Sequence, residues 1–294
     1  MSRIIVFGAS GFIGSGIAQQ LSAEGYEVTR VTRRDVDLVS ADAPLVIRSL
    51  VKDDDTIVFS AADAPCKNVR QFENNIVMLS KLLEGLAGKS VANFCYLSSD
   101  AVYCDTREAI TESTPTTPSS LHGLMHLTRE RLLQYQLNQS LVLRPTLVYG
   151  AHDPHNGYGP NRFIRLAKRG DDIELFGNGE ELRDHLHISD LVGAASSLIT
   201  SGATGNFNLA TGEVTSFRDV ATISVNVSRS KSRVLSTPRH GPLPHMGLRQ
   251  FDVSRLREVV PHFKPKPLAE HLGMEFPFYG SGDKPAAIDP SLET

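Results

Sequence analysis

The stretch PSSLHGLMHLTRERLL, residues 118–133, carries His122 and His126 four positions apart. On a helix that spacing puts both rings on one face. An imidazole ionises near neutrality, so such a pair suits proton transfer. The same spacing suits zinc, with His152 or His155 of HDPH as a third ligand. No glutamate stands in an HExxH frame, however, and no metal is expected. The remaining alternative is an inert polar face. A second chemistry-bearing stretch is GASGFIG, with Gly8, Gly11 and Gly14 enclosing Phe12 and Ile13. It lies between a strand-like run and a helix-like run. There, glycine lets the backbone turn tightly and approach a pyrophosphate at a helix N-terminus.

The elements that must position these residues follow from periodicity. RIIVFGAS, EVTRVT, DTIVFSAA, VANFCYLSS and SLVLRPTLVYG read as strands. GFIGSGIAQQLSAEGY, NNIVMLSKLLEGLAG and the histidine stretch read as helices between them. This alternation predicts an α/β fold, a doubly wound parallel sheet of the Rossmann kind. Residues 32–56 leave room only for a shortened strand–helix unit. We expect residues 1–150 to form a dinucleotide-binding domain to which 186–210 return. Residues 151–185 and 211–276 are expected to form a smaller mixed α/β substrate-binding lobe. The tail, 277–294, has the composition of a mobile segment.

Composition excludes several classes. The 294 residues are 40% hydrophobic and 21% charged, with a net charge of −3, so no bulk attraction to nucleic acid or an anionic membrane is expected. The basic SRSKSRV, residues 228–234, lacks interleaved aromatics and reads as a solvated loop. No apolar run reaches the roughly 18 residues of a membrane span, and the N-terminus shows no signal-peptide pattern. Cys66, Cys95 and Cys104 lack CxxC spacing, and a reduced, cytoplasmic protein is expected.

Cofactor choice is read at the end of the second strand, where an acidic residue would favour NAD. The stretch is RVTRRD, with Thr32 near the acid's place, followed by Arg33 and Arg34. Arginines there suit a 2′-phosphate, so NADP is expected. Asp35 and Asp37 keep NAD open as the alternative.

The GxxGxxG spacing and several motifs in order resemble the extended short-chain dehydrogenase/reductase family, the nucleotide-sugar epimerases, dehydratases and reductases. The resemblance covers about residues 3–275, through YLSSDAVY, LRPTLVYG, RDHLHISDL and LRQFDVSRL. It implies hydride transfer between a nicotinamide and a carbinol or ketone of a nucleotide-linked sugar. By position, Ser99 matches the family's Ser/Thr. His122 and His126 stand where the family has the tyrosine and lysine of YxxxK. Three readings compete: His122 as acid/base with His126 on the cofactor ribose, an inert pair in a regulatory NAD(P)-binding protein, or the zinc pair. Asp100 resembles the dehydratase acid, but Ala101 replaces the adjacent glutamate, which argues against dehydration. Ala61 and Asn75 complete the expected cofactor set, and Asn161, Arg183 and Arg249 match positions that bind the sugar nucleotide's diphosphate. Tyr158, His152 and His155 lie in the loop expected to reach the sugar. A homodimer through two long helices, one of them 122–136, is also implied.

Overall fold

Burial on both faces explains why the strands of the main sheet are apolar along their whole length rather than alternating. The computed structural model of the protein describes residues 3–280 except Asn138. In chain order the first half comprises β1 (Ile4–Phe7), α1 (Phe12–Ala23), β2 (Val28–Val31), α2 (Ala43–Leu50), β3 (Thr56–Phe59), α3 (Val69–Leu86), β4 (Asn93–Leu97), α4 (Leu121–Gln136) and β5 (Leu141–Pro145). The second comprises β6 (Leu147–Tyr149), α5 (Pro160–Arg169), β7 (Ile173–Phe176), β8 (Leu182–Arg183), β9 (His185–His187), α6 (Ile188–Thr200), β10 (Gly205–Leu209), β11 (Thr215–Ser216), α7 (Phe217–Ser228), β12 (Val234–Thr237), β13 (Leu248–Arg249), α8 (Ser254–Val259) and α9 (Leu268–Glu275).

The six-stranded sheet runs β10-β5-β4-β3-β1-β2, and every pairing is parallel. Ile4 and Val6 of β1 face a core shared with Ile17 and Leu21 of α1 and Leu191 and Leu198 of α6. Ile5 and Phe7 face the opposite core, with Ile47 of α2, Leu79 and Leu82 of α3 and Leu133 of α4. Alternate residues of one strand thus serve two helical layers, the doubly wound arrangement. The sheet ends at β2, and α2 is only eight residues long. The short span from 32 to 56 therefore supplies a helix but no further strand. β10 returns to the sheet beside β5 after α6 has packed on α1.

The remaining elements build a smaller mixed lobe. β12 pairs with β7, β8 lies between β11 and β13, and β6 pairs with β9. Phe163, Ile173, Leu175, Phe217 and Val220 form its core. Of the expected tail, the first residues are packed rather than free. Tyr279 is fully buried and its hydroxyl donates to Asn161 Oδ1 at 3.2 Å, while Lys168 Nζ donates to the carbonyls of Phe276, Pro277 and Tyr279. Residues 281–294 lie outside the described residues.

α4 meets the sheet through charge as well as apolar contact. Glu130, 1% exposed, accepts from Arg144 Nε at 3.0 Å and Nη2 at 2.6 Å, and from Ser98 Oγ at 2.6 Å. Arg144 Nη1 continues to Tyr103 Oη, whose hydroxyl donates to Asn208. One helix and the C-terminal ends of β4, β5 and β10 are thereby joined in a single buried network. Removing one member leaves a buried charge unpaired, the costly case. Glu130→Ala should therefore lower unfolding free energy by about 3–5 kcal/mol in urea denaturation. Glu130→Leu combined with Arg144→Met should recover most of that loss.

Candidate active site

The glycine turn joins β1 to α1 and is shaped by two different needs. Gly8 has φ +87°, and a Cβ there would lie 2.6 Å from the Ala61 nitrogen. A Cβ on Gly14 would lie 2.4 Å from both the Gly8 oxygen and Ser60 Oγ. Both glycines are therefore demanded by the protein's own packing. Gly11 has an ordinary φ of −75°, and its Cβ would meet only the Gly8 oxygen, at 3.3 Å. As N-cap of α1, Gly11 makes no side-chain capping bond, so the first-turn N–H groups of Phe12 and Ile13 face outward without a side-chain acceptor. That is a cradle for a pyrophosphate, and the residues present fit a dinucleotide.

Beside this turn a cavity of about 340 Å³ opens at the C-terminal ends of β1, β2 and β3. Gly8, Gly11, Arg33 and Ala61 line it; Arg34 and Asn75 do not. Arg34 is exposed, and Asn75 is fully buried, bonding the backbone of Asp63 and Gln71 and so holding the loop after β3. Asp35 is consumed locally: its Oδ2 accepts from Thr32 N–H at 2.8 Å and Thr32 Oγ1 at 2.7 Å, which holds the carboxyl below its usual range. Arg33 and Asp37 stand 3.6 Å apart on the cavity rim. Asn74 and Asp63 also line the cavity and escaped sequence reasoning, which had no signal for them.

The catalytic candidates meet through one close backbone approach. Ser99 Oγ accepts from Ala101 N–H at 3.1 Å and starts the 3₁₀ turn Asp100–Val102. Ser120 caps α4 by accepting from Gly123 N–H at 3.1 Å. A Cβ on Gly123 would lie 2.0 Å from the Ala101 carbonyl oxygen. Only glycine lets the start of α4 butt against this turn. Gly123 is thus a positioning residue that the sequence hid between the two histidines.

His122 is half-buried, and its Nδ1 accepts from the Cys66 backbone N–H at 3.3 Å. Its ring stands edge-on to His126, with centroids 4.7 Å apart. His126 is 5% exposed, and its Nδ1 lies 2.6 Å from the Tyr96 hydroxyl. Behind both rings lies Arg129, with no exposed surface. Its guanidinium donates to the carbonyls of Asn75 and Ala61 and lies 4.9 Å from the Phe59 ring centre and 6.0 Å from that of Tyr96. Burial pulls the His122 pKa down, with Asp100 opposing and Arg129 adding to the effect. Burial, then His122 and Arg129, hold His126 well below the usual imidazole range. Both shifts favour the neutral ring. His152 and His155 are exposed on the loop before α5. Among the described residues no group of three or more His, Cys, Asp or Glu is arranged to hold a metal ion, so the zinc set is not assembled.

The expected substrate residues are differently disposed. A second cavity of about 350 Å³ is lined by Asn161, Arg183, His155, Tyr158, Phe176 and Phe217 among others. β8 and β13 pair so that Arg183 and Arg249 are register partners. Each guanidinium has a carboxylate beside it: Arg183 Nε lies 2.7 Å from Glu181, and Arg249, 2% exposed, lies 2.8 Å from Asp100 Oδ2 and bonds the Asp100 carbonyl. Asp100 is thus tied to Arg249, which holds its carboxyl below the usual range, rather than aimed at Ser99. Asn161 lines the cavity, but its amide is committed to Gly150 N–H, Asp153 and Tyr279.

With this geometry in view, comparisons with known proteins are informative. The chain is 29% identical over 310 residues to the dTDP-4-dehydro-6-deoxy-D-allose reductase of Streptomyces bikiniensis, covering 90% of this chain and 92% of that protein. It is 24% identical over 302 residues to the UDP-N-acetyl-alpha-D-glucosaminuronate decarboxylase of Bacillus cytotoxicus, covering 87% and 91%. The same fold is found in the UDP-glucose 4-epimerase of Thermotoga maritima with UDP-glucose, with TM-score 0.83, 22% identity and coverage of 94% of this chain and 98% of that one. It is found again in the UDP-glucuronic acid 4-epimerase of Bacillus cereus with UDP-glucuronic acid and NAD, with TM-score 0.81, 20% identity and coverage of 94% and 98%. The model of the NAD dependent epimerase/dehydratase family matches residues 4–210, and the chain belongs to that family.

Proposed function

We propose that the protein is an NAD(P)-dependent enzyme of the epimerase/reductase class acting on a nucleotide-activated sugar. The observation that carries this reading is the contact of Gly123 with Ala101. It brings the start of α4, with its HxxxH pair, against the turn that begins at Ser99. When bound, the nicotinamide supplies or takes up the hydride. The chain's own residues do the rest. Phe12 and Ile13 N–H groups hold the pyrophosphate, Ser99 bonds the reacting oxygen, His122 handles its proton and His126 bonds the ribose. The cavity edged by Arg183 and Asn161 takes the sugar nucleotide, with 1–150 and 186–210 as the cofactor domain and 151–185 with 211–276 as the substrate lobe. The inert-pair alternative, a regulatory NAD(P)-binding protein, has a disadvantage: it leaves an unbonded imidazole edge half-exposed at the site for no purpose.

Arg33 on the cavity rim supports NADP, since its guanidinium suits a 2′-phosphate and Asp35 is already occupied by Thr32. Exposed Val69 and Val77 of α3 and Leu124 and Tyr135 of α4 support pairing of two copies through these helices. Three cysteines unpaired in the structure suit a reducing cytoplasm.

Purified protein given NADPH and a panel of 4-keto dTDP- and UDP-sugars should oxidise the cofactor, followed by its absorbance. Tight cofactor binding with no turnover on any member would favour the regulatory reading. His122→Phe should lower kcat about 10²-fold or more while leaving cofactor affinity unchanged. Arg33→Ala should raise KM for NADPH about tenfold and leave that for NADH nearly untouched, the effect of one lost charge-assisted bond. Leu124→Glu should shift sedimentation toward the monomer.

A further inference from the structure

The two histidines are not equivalent to free imidazoles, because each has one nitrogen spoken for. A neutral ring has one N–H and one lone pair. The Cys66 amide can only donate, so the Nδ1 that receives it at 3.3 Å carries the lone pair, and the proton lies on Nε2. The Tyr96 hydroxyl lies 2.6 Å from His126 Nδ1, and burial pushes its phenol well up, so it stays protonated.

We infer that His122 works as a neutral hydrogen-bond donor through Nε2–H toward the reacting oxygen. This rests on the functional reading above and specifies which nitrogen of the ring meets the substrate. The nicotinamide, when bound, would supply or take up the hydride. As the C=O electron pair moves onto oxygen, Nε2–H stabilises the developing alkoxide, and solvent supplies the proton that completes the hydroxyl. His122 so steers the proton of that oxygen without surrendering its own. Moving the ring proton to Nδ1 would set two donors against each other.

Every charged or titratable group packed around the ring agrees or is already committed. Arg129, on its own helix, disfavours the imidazolium, and the ring of His126 stands edge-on beside it. Asp100, on the facing turn, would favour it but is tied to Arg249. The Cys66 thiol, on the loop after β3, is pushed up by burial and stays neutral.

The tautomer can be read without substrate, from two-bond ¹⁵N–¹H correlations of histidine-labelled protein, with His122 assigned by its loss in His122→Gln. The expected pattern is a bare Nδ1 and a protonated Nε2, unchanged between about pH 7 and 9, and unchanged in Cys66→Ala, which keeps the amide. A ring protonated on Nδ1, or charged at pH 7, overturns the inference whether or not a substrate is known. On a 4-keto dTDP- or UDP-sugar with NADPH, the single-turnover rate should be level across the same range. A tenfold fall per unit above about pH 6.5 would instead reveal an imidazolium acid and refute it. His122→Gln, whose amide offers an N–H in nearly the same place, should stay within about tenfold of the native rate, against a loss of about 10²–10³ in His122→Phe. Equal loss in both variants refutes the donor role. Failure of every sugar in the panel, with the bare Nδ1 observed, would count against the proposed substrate class and not against the tautomer.

Discussion

A helix that buries a polar face can sit in only one place, and α4 is such a helix. Its buried positions are Gly123, Met125, His126, Arg129, Glu130 and Leu133, so half of them carry polar side chains. Each finds its partner on a different element: His126 on Tyr96 of β4, Arg129 on the backbone of α3 and the end of β3, Glu130 on Arg144 of β5. A shift of one of these groups by an ångström would strand it in a medium that offers no substitute partner. Leucines at the same positions would pack with similar energy over a range of rotations. The polar face is what allows Gly123 to be brought hard against Ala101, and hence what fixes His122 relative to Ser99.

Charge is distributed around the site in a way that serves the same end. Among the described residues no carboxylate lies within ion-pair distance of Arg129; carbonyl dipoles and the Phe59 ring stabilise it. Its field is therefore not cancelled locally and bears on both imidazoles. On the opposite side Arg183 and Arg249 are each held by a carboxylate, Glu181 and Asp100. Any anion that reaches them does so in competition with these groups, which favours a ligand of high charge density such as a diphosphate over a single carboxylate.

Much of this was legible in the sequence because it depends on local pattern. The apolar runs of β1, β3 and β5 mark strands buried on both sides, and the GASGFIG turn announces its cradle by spacing alone. The unusual pair at 122 and 126 was visible as well. What stayed hidden depends on contacts between distant segments. The amide of Cys66 reaches a ring 56 residues away, and no side-chain identity advertises a backbone donor. Arg34 reads like Arg33, and both are exposed, but only Arg33 lines the cavity, since the turn after β2 separates neighbours that the sequence leaves together. Asn161 and Arg183 line one cavity and Arg249 does not, and the partners of all three could be known only once Asp153, Glu181 and Asp100 had been located.

Two histidines stand where the resemblance leads one to expect a tyrosine–lysine pair, and the spacing along α4 bears on how they could work. His122, His126 and Arg129 stand at i, i+4 and i+7, one stripe of the helix. A phenol that must lose its proton near neutrality needs a cation close by, one turn away. An imidazole that is to keep a single proton at neutral pH needs that cation farther off, near enough to discourage a second proton but not in contact. Here the positive charge, on Arg129, lies a turn deeper and lowers the pKa of both histidines. The neutral donor proposed at 122 rests on that spacing together with the amide of Cys66.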